Sequence, residues 1–141
     1  MKTTTKYNTN LASEYYVLAT LYRLGFDAYI TLGNKKSIDI ILNLNGEKQI
    51  TIDVKGLQGK TLFPLDNLDE FSEKPNHYIV FLSFLDKIDK PEITPEIYVV
   101  PHNDIKNLMY SNPSQTRKGV NLSNLRAHQG QYENRWDLLT Q

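Results

Sequence analysis

Residues 37–55 read SIDIILNLNGEKQITIDVK, two segments separated by the pair Asn45-Gly46. In each segment every second residue is apolar, which is the period of a β-strand with one buried face. These apolar residues are Ile38, Ile40, Leu42, Leu44, Ile50, Ile52 and Val54. An Asn-Gly pair favours a tight turn, because both residues adopt positive φ angles at low cost. The stretch therefore predicts an antiparallel hairpin that folds about Gly46.

The register of this hairpin follows from its turn. Residues at equal distances from Gly46 face each other, so Ile40 pairs with Ile52 and Asp39 pairs with Asp53. The even-numbered positions form an apolar face. The odd-numbered positions form a polar face on which Ile41 is the one apolar residue, and its other members are Asp39, Asn43, Gln49, Thr51, Asp53 and Lys55.

Two carboxylates that face each other across a strand pair need compensation. Their β-carbons would lie about 4.5–5.5 Å apart, and like charges in this arrangement are destabilising. Lys55 lies on the same face as Asp53 and supplies one opposite charge. A divalent cation between the carboxylates would turn their repulsion into coordination by oxygen ligands. The alternative interpretation is an ordinary solvated polar face.

The composition is that of a single globular domain. The chain has 141 residues, of which 40% are hydrophobic and 23% are charged, enough for one sizeable core. It contains no cysteine, which excludes disulfides and thiol chemistry and agrees with a cytoplasmic location. No apolar run is long enough to span a membrane, so we expect no membrane partner. Because the net charge is zero, a nucleic-acid function has to rest on local patches.

The N-terminal part predicts a helix. We interpret residues 1–9 as a flexible polar arm and residues 10–141 as one domain. Asn10 can cap a helix that runs to about Leu24 and stops at Gly25. Glu14 lies at the edge of its apolar stripe, where a carboxylate is costly unless it is paired; the alternative is a solvated first-turn Glu favoured by the helix dipole. The stripe consists of Leu11, Tyr15, Leu18, Leu21 and Tyr22.

The remaining elements follow from apolar runs and turn residues. Predicted strands are Phe26–Leu32, His77–Leu85 and Ile97–Val100. Predicted helices are Leu65–Glu73, Asn103–Met109 and Tyr132–Thr140, the last with Trp136 and Leu139 docked on the core. Predicted loops and turns are Gly33–Lys36, Gly56–Lys60, Asp86–Pro95 and Ser111–Lys118. This order predicts an α/β sandwich with a mixed sheet flanked by helices. The polar face of the hairpin would look toward the first helix and Glu14 or toward an open cleft.

These residues carry a family resemblance. Asp39, followed on the next strand by Asp53-Val54-Lys55, with Glu14 upstream on a helix, resembles the PD-(D/E)XK nuclease superfamily, which includes restriction endonucleases and Holliday-junction resolvases. The later strands and the RWDLL segment look like small bacterial members. The resemblance implies a restriction-endonuclease-like fold with an αβββαβ core. Two departures are Ile38, where Pro is common, and Asp53, where Glu is more frequent.

The resemblance also implies an activity and its residues. It implies a Mg²⁺-dependent endodeoxyribonuclease, with Mn²⁺ able to substitute for Mg²⁺. Asp39, Asp53, Glu14 and the backbone carbonyl of Val54 would hold the metal, and Lys55 would orient or deprotonate the attacking water. One alternative is a catalytically silent binding or immunity-type protein that keeps the fold. A third interpretation is a solvated hairpin on an unrelated α/β domain.

Several polar residues are candidates for contact with DNA. Lys35, Lys36 and Lys60 are expected at the rim of the site, where they could follow a phosphate backbone. Gln58 is a weaker candidate near the phosphate, and Arg117-Lys118 is a further basic pair. For each of them the alternative is an ordinary surface or loop residue. A homodimer and a targeting partner protein are compatible with so small a nuclease.

Overall fold

The computed structural model describes residues 4–35, 38–109 and 117–141, with the backbone alone for residues 32–35. In chain order, the helices are α1 (Lys6–Arg23), a 3₁₀ helix (His102–Asn107), α2 (Leu122–Ala127), α3 (Gln129–Tyr132) and a second 3₁₀ helix (Trp136–Thr140). The strands are β1 (Asp27–Lys35), β2 (Ile38–Leu44), β3 (Lys48–Leu57), β4 (Leu62–Pro64), β5 (His77–Ser83), β6 (Glu96–Pro101) and β7 (Gly119–Asn121). No helix in these ranges is long and apolar enough to cross a membrane.

The central sheet has five strands in the order β1-β2-β3-β5-β6. Strands β3 and β5 run parallel, and the other neighbours run antiparallel. A small second sheet pairs β4 with β7. One apolar cluster joins α1 to the even-numbered residues of β2 and β3, and another lies on the opposite face beneath β4, β7 and α2. The predicted fold class, a mixed sheet flanked by helices, is therefore confirmed.

The central hairpin has the predicted register. Ile40 pairs with Ile52 and Leu42 with Ile50. The turn places Asn45 at φ 43° and Gly46 at φ 79°, the positive angles that the Asn-Gly pair tolerates. The four paired side chains are fully buried or nearly so, as the alternating pattern requires.

The start of the first helix was predicted too late. The helix begins at Lys6 with Thr5 as its cap, so the predicted arm over residues 1–9 is wrong for its last four residues. Thr5 Oγ1 accepts a hydrogen bond from the Asn8 N–H at 3.1 Å, and Asn8 Oδ1 accepts one from the Thr5 N–H at 3.1 Å. This reciprocal pair satisfies two backbone donors that a helix start leaves open. Residues 1–3 lie outside the described part.

The buried stripe of α1 is also rotated from the predicted one. Tyr15 and Tyr22 are 49% and 55% exposed. The prediction placed both in the stripe because it counted tyrosine as apolar. The buried positions are Thr9, Ser13, Val17, Leu18 and Leu21. Small polar residues therefore face the sheet in the first half of the helix, which allows a close approach to β3.

Other predicted boundaries need correction. Strand β1 continues through Gly33 to Lys35, and β3 continues through Gly56 to Leu57, where turn and loop were predicted. The segment Leu65–Glu73 forms turns instead of a helix. In this segment the Asp69 carboxylate accepts a hydrogen bond from the Phe71 N–H at 3.1 Å. Such local bonds of Asp compete with helix formation, and an apolar spacing alone did not reveal them.

The C-terminal helices are shorter than predicted. A 3₁₀ helix over His102–Asn107 stands in place of the helix predicted over Asn103–Met109. The predicted closing helix is interrupted after Tyr132, since Asn134 has a positive φ of 52°. Its docking is nevertheless confirmed, because Leu139 is fully buried and Trp136 packs against the same core. The predicted loop Ser111–Lys118 lies outside the described residues up to position 116.

Candidate active site

The site begins where strands β2 and β3 separate. The last pair of the hairpin ladder at this end is Ile40–Ile52. Beyond it, Asp39 Oδ2 accepts a hydrogen bond from the Val54 N–H at 2.7 Å. A side chain thus takes the place of a backbone acceptor, and the two strands diverge into a fork. The two aspartates face each other at this fork.

Asp53 is a buried carboxylate in a mixed electrostatic environment. Its residue is 5% exposed, and Lys55 Nζ lies 3.4 Å from Asp53 Oδ2. The pKa of Asp53 is raised to about 7, first by burial; the Lys55 ammonium opposes the shift, and the hydrogen bond and charge of Asp39 add to it. Desolvation outweighs the single cation. The fork therefore holds a carboxylate whose negative charge is only partly compensated by the chain.

Glu14 approaches the fork from α1. It is partly buried, and its pKa is raised first by burial and then by the charge of Asp39. The carboxylate therefore points into the same region as the aspartates, as its position on the helix predicted. In the described ranges, no group of three His, Cys, Asp or Glu side chains is arranged to hold a metal ion. Glu14 is thus a cleft residue that does not complete a three-carboxylate cage in this structure.

A cleft of about 470 Å³ contains the predicted residues. Glu14, Asp39, Asp53, Val54 and Lys55 all line it. Its other lining residues are Lys6, Asn10, Gly56, Phe63, Pro64, Leu65, Asp66, Asn67, Leu68 and Arg117. Residues from α1, β2 and β3 that are far apart in sequence therefore converge on one concave surface.

Four of the predicted DNA contacts, Lys35, Lys36, Gln58 and Lys60, lie away from the cleft lining or outside the described side chains. Gln58 donates from Nε2 to Thr9 Oγ1 at 2.8 Å and so ties the end of β3 to α1. Lys60 Nζ lies 4.0 Å from Asp86 Oδ2 on the surface. Neither residue lines the cleft. Lys36 lies outside the described residues, and only the backbone of Lys35 is described.

The prediction missed two α1 residues that line the cleft. Lys6 and Asn10 precede Glu14 at intervals of four residues, so all three share one side of the helix. The late helix start concealed this relation, and the Thr5 cap with Asn8 three residues later is the sequence signal that could have revealed it. Arg117 also lines the cleft, where its guanidinium binds Asp66 Oδ2 at 2.9 and 3.1 Å.

The donor set at the fork suits a small divalent cation. Two facing carboxylates are hard oxygen ligands, and Mg²⁺ is commonly held by one or two carboxylates together with waters and substrate phosphates. The backbone of Val54 adds a third oxygen on the same side. Its N–H is directed to Asp39, and the N–H and C=O of one strand residue project to the same edge. The carbonyl of Val54 therefore also projects toward the fork.

Comparisons with known proteins give a match in structure and none in sequence. No protein family matches the sequence, and no curated protein matches it. The chain is similar to the solved structure of a bacterial homing endonuclease, I-Ssp6803I, with a TM-score of 0.54 and 13% sequence identity. The similarity covers 97% of this chain and 95% of that one. At this level of identity it shows a shared fold over nearly the whole of both chains.

Proposed function

We propose that this protein is a metal-dependent nuclease of the PD-(D/E)XK type that hydrolyses phosphodiester bonds in DNA. The observation that carries the proposal is the convergence of Glu14, Asp39, Asp53 and Lys55 on one cleft. Three elements contribute these residues, and the arrangement costs stability because it buries Asp53 beside Asp39. A cost of this kind is common at functional sites.

The chemistry of phosphodiester hydrolysis accounts for this set of residues. The substrate is an anion, so carboxylates alone would repel it. A divalent metal at the fork would neutralise the phosphate and lower the pKa of the attacking water. Asp39 and Asp53 would hold that metal, together with the carbonyl of Val54.

The remaining residues act directly on water and phosphate. Lys55 is half-exposed at the cleft, where its ammonium would orient the water and stabilise the charge that develops on the phosphoryl oxygens. Glu14 would accept a hydrogen bond from a metal-bound water. Lys6 lies at the same cleft and would position the neighbouring phosphate by its charge.

The shared fold supports DNA as the substrate. The solved structure with the similar fold is that of a homing endonuclease, a class of enzyme that cuts DNA. A fold alone does not fix a function, so the proposal depends on the cleft residues. The shared fold supports the idea that this arrangement of strands can present such residues to a nucleic acid.

A cleavage assay tests the proposal. Supercoiled, linear and branched DNA are incubated with the protein in Mg²⁺ or Mn²⁺, with chelator as the blank. We expect metal-dependent cutting that the Asp53→Ala and Lys55→Ala variants each reduce by at least about a hundredfold. Lys106→Ala is the matched lysine control, because Lys106 is exposed on the first 3₁₀ helix and lies outside the cleft lining, and it should cut like the wild type.

Two results would contradict the proposal. The first is cutting that survives both site variants, which would assign the activity to another region or to a contaminant. The second is intact DNA in all conditions with no metal uptake by the wild type in calorimetry. That result would favour a non-catalytic binding protein that keeps the fold.

A further inference from the structure

Beside the site, part of one face of the central sheet is not covered by any element of the described residues. It carries the odd-numbered residues of β1, β2 and the first half of β3. Tyr29 is 52% exposed, Asp27 and Gln49 are exposed, and Ile41, Asn43 and Thr51 are half-buried. Neither Tyr29 nor Ile41 packs against either apolar cluster of the described residues. We refer to these six residues as the open sheet face.

The strand register makes the open sheet face continuous with the fork. Tyr29 pairs with Ile41, which pairs with Thr51, and this row crosses all three strands. Asp27, Asn43 and Gln49 form a second row in the same way. Side chains on one face recur every second residue, about 7 Å apart. The rows therefore follow directly from Asp39 and Asp53, which occupy the next odd positions.

Hydrogen bonds orient the polar side chains of this face. Gln49 donates from Nε2 to Asn43 Oδ1 at 3.1 Å. The Asp27 carboxylate beside the Tyr29 hydroxyl is the largest cause of the raised pKa of Tyr29, and Asn43 opposes that shift. A surface with a tyrosine and two mutually oriented amides is organised at low entropic cost before any ligand binds.

We infer that the open sheet face is the surface through which this nuclease contacts the base edges of duplex DNA beside the scissile phosphate. The inference rests on the proposed function, because it assumes that the fork cuts DNA. Paired amides suit adenine, whose N6 and N7 groups match the acceptor and donor of an Asn or Gln side chain. The rows cross three strands spaced about 4.8 Å apart, so the outer strands of the face lie about 10 Å apart, against a major groove about 12 Å wide.

The composition of the face favours nucleic acid over a second copy of the chain. Stable interfaces between copies have apolar centres, whereas Ile41 is the single aliphatic residue of this face. The six residues include no lysine or arginine and one carboxylate, Asp27, which would repel phosphates but can accept a hydrogen bond from the N4 amino group of cytosine. Lys55 and Lys6 at the adjoining cleft would supply the phosphate contacts.

The geometry sets where the preference should occur. Asn43 lies four residues beyond Asp39 on β2, or about 14 Å along the strand. Successive bases of one DNA strand are about 3.4 Å apart. We therefore expect the base preference within about four base pairs of the cut.

The test sequences the ends produced from plasmid DNA with a randomised insert. The wild type should prefer certain bases near the cut, and Asn43→Ala and Gln49→Ala should each weaken the preference at one or two positions by about tenfold. Gln131→Ala is the matched amide control, since Gln131 is exposed on α3, and it should leave the preference unchanged.

A binding measurement keeps the inference separate from the cleavage activity. Fluorescence anisotropy of a labelled duplex, taken with Ca²⁺ in place of Mg²⁺ so that the fork carboxylates are neutralised, should show about fivefold or greater weakening for Tyr29→Ala. Tyr15→Ala is the control, because Tyr15 has similar exposure (49%) on the outer side of α1.

Each contrary result has a distinct meaning. Cutting by the wild type with a preference that Asn43→Ala and Gln49→Ala leave intact overturns the inference, while the proposed function stands. Unchanged duplex binding by Tyr29→Ala also overturns it. Sedimentation that shows these variants dissociating a dimer would assign the face to contact between copies. If the wild type leaves DNA uncut but Tyr29→Ala still weakens duplex binding, the proposed nuclease activity is rejected and the DNA contact at the face stands.

Discussion

At the scale of single residues, the proposed metal site consists of one buried carboxylate beside another. Asp53 is buried, faces Asp39 and has one cation at 3.4 Å. The raised pKa of Asp53, caused first by burial, shows that desolvation is the dominant cost. The sequence predicted this pair because the hairpin pattern fixes the register. Truncation of Asp39 would relieve the repulsion but would also lose the hydrogen bond that Asp39 accepts from the Val54 N–H.

Asp53→Asn should therefore stabilise the metal-free protein. The change removes a buried charge while keeping the shape of the side chain, and we expect a gain on the order of 2 kcal/mol in the free energy of unfolding at pH 8. Urea denaturation with chelator present measures it. Asp86→Asn is the exposed control, expected within about 0.5 kcal/mol of the wild type. A loss of stability in Asp53→Asn would show that the Asp53 carboxylate stabilises the folded state, contrary to this prediction.

His77 gives the fold a dependence on pH. It is 6% exposed, its Nδ1 lies 2.7 Å from Thr51 Oγ1, and its ring faces His102 at 5.7 Å between centroids. Burial, followed by the charges of Lys74 and His102, lowers the pKa of His77 to about 4. The unfolded chain binds this proton with a pKa near 6.5, so protons favour the unfolded state.

The contribution of His77 to stability should consequently fall as the pH decreases from about 6.5 to about 4, opposite in sign to the contribution of Asp53, whose pKa is raised. His77→Gln should reduce the difference between the unfolding free energies at pH 7 and pH 5, whereas His128→Gln, at an exposed position, should leave that difference unchanged. Denaturant titrations at the two pH values measure both. An equal loss of stability on acidification in His77→Gln and wild type would contradict the assignment.

At the scale of elements, the close approach of α1 to β3 sets the position of Glu14. A β-carbon on Gly56 would lie 1.9 Å from Ser13 Oγ and 2.8 Å from Ser13 Cβ. Only glycine allows this spacing, and Ser13 directly precedes Glu14. The sequence predicted the helix and the strand but not this contact, because the contact depends on which face of the helix turns inward. The misplaced helix start and the exposed tyrosines had obscured that face.

Gly56→Ala should lower the free energy of unfolding by about 1–3 kcal/mol through overpacking. It should also reduce DNA cleavage, because α1 has to move away from the fork and carries Glu14 with it. Gly130→Ala is the matched control, since a β-carbon there meets nothing within 4 Å. Chemical denaturation and the cleavage assay give the two values. Wild-type stability in Gly56→Ala would show that the two elements are less tightly packed than described.

The cap of α1 provides a second test at this scale. Thr5→Ala removes the acceptor for the Asn8 N–H and should cost about 1 kcal/mol of stability. Thermal and urea unfolding measure this loss. No change would favour a helix that starts at Asn10, as the apolar spacing alone predicted.

At the scale of the whole molecule, the strands of the central sheet were predicted more completely than the segments that pack on them. The strict alternation around Gly46 predicted the hairpin, and the apolar run at His77 predicted the fully buried strand β5, since such patterns depend on local periodicity. The segment Leu65–Glu73 and the C-terminal turns could not be predicted, because long-range contacts define them. Lys118 Nζ, for example, binds the Leu68 carbonyl and lies 3.0 Å from Glu70 Oε1.

The residues of the candidate site were likewise predicted only in part. Asp39, Asp53, Lys55 and Glu14 were predicted from register and helix position, and the structure brings them into one cleft. Lys6 and Asn10 were missed because the helix start was misplaced. The amide pair of the open sheet face lay within the predicted polar face, but periodicity alone does not show whether an element of the described residues covers it.

The proposed hydrolysis of phosphodiester bonds requires the fork to bind a divalent metal. Electron paramagnetic resonance of Mn²⁺ tests it most directly, because bound Mn²⁺ leaves the spectrum of the free ion. With a short DNA duplex present, the wild type and Lys60→Ala should deplete the free-ion signal in a saturable manner, and the Asp39→Asn, Asp53→Asn double variant should not. A wild type that leaves the free Mn²⁺ signal unchanged, with and without DNA, would contradict the account.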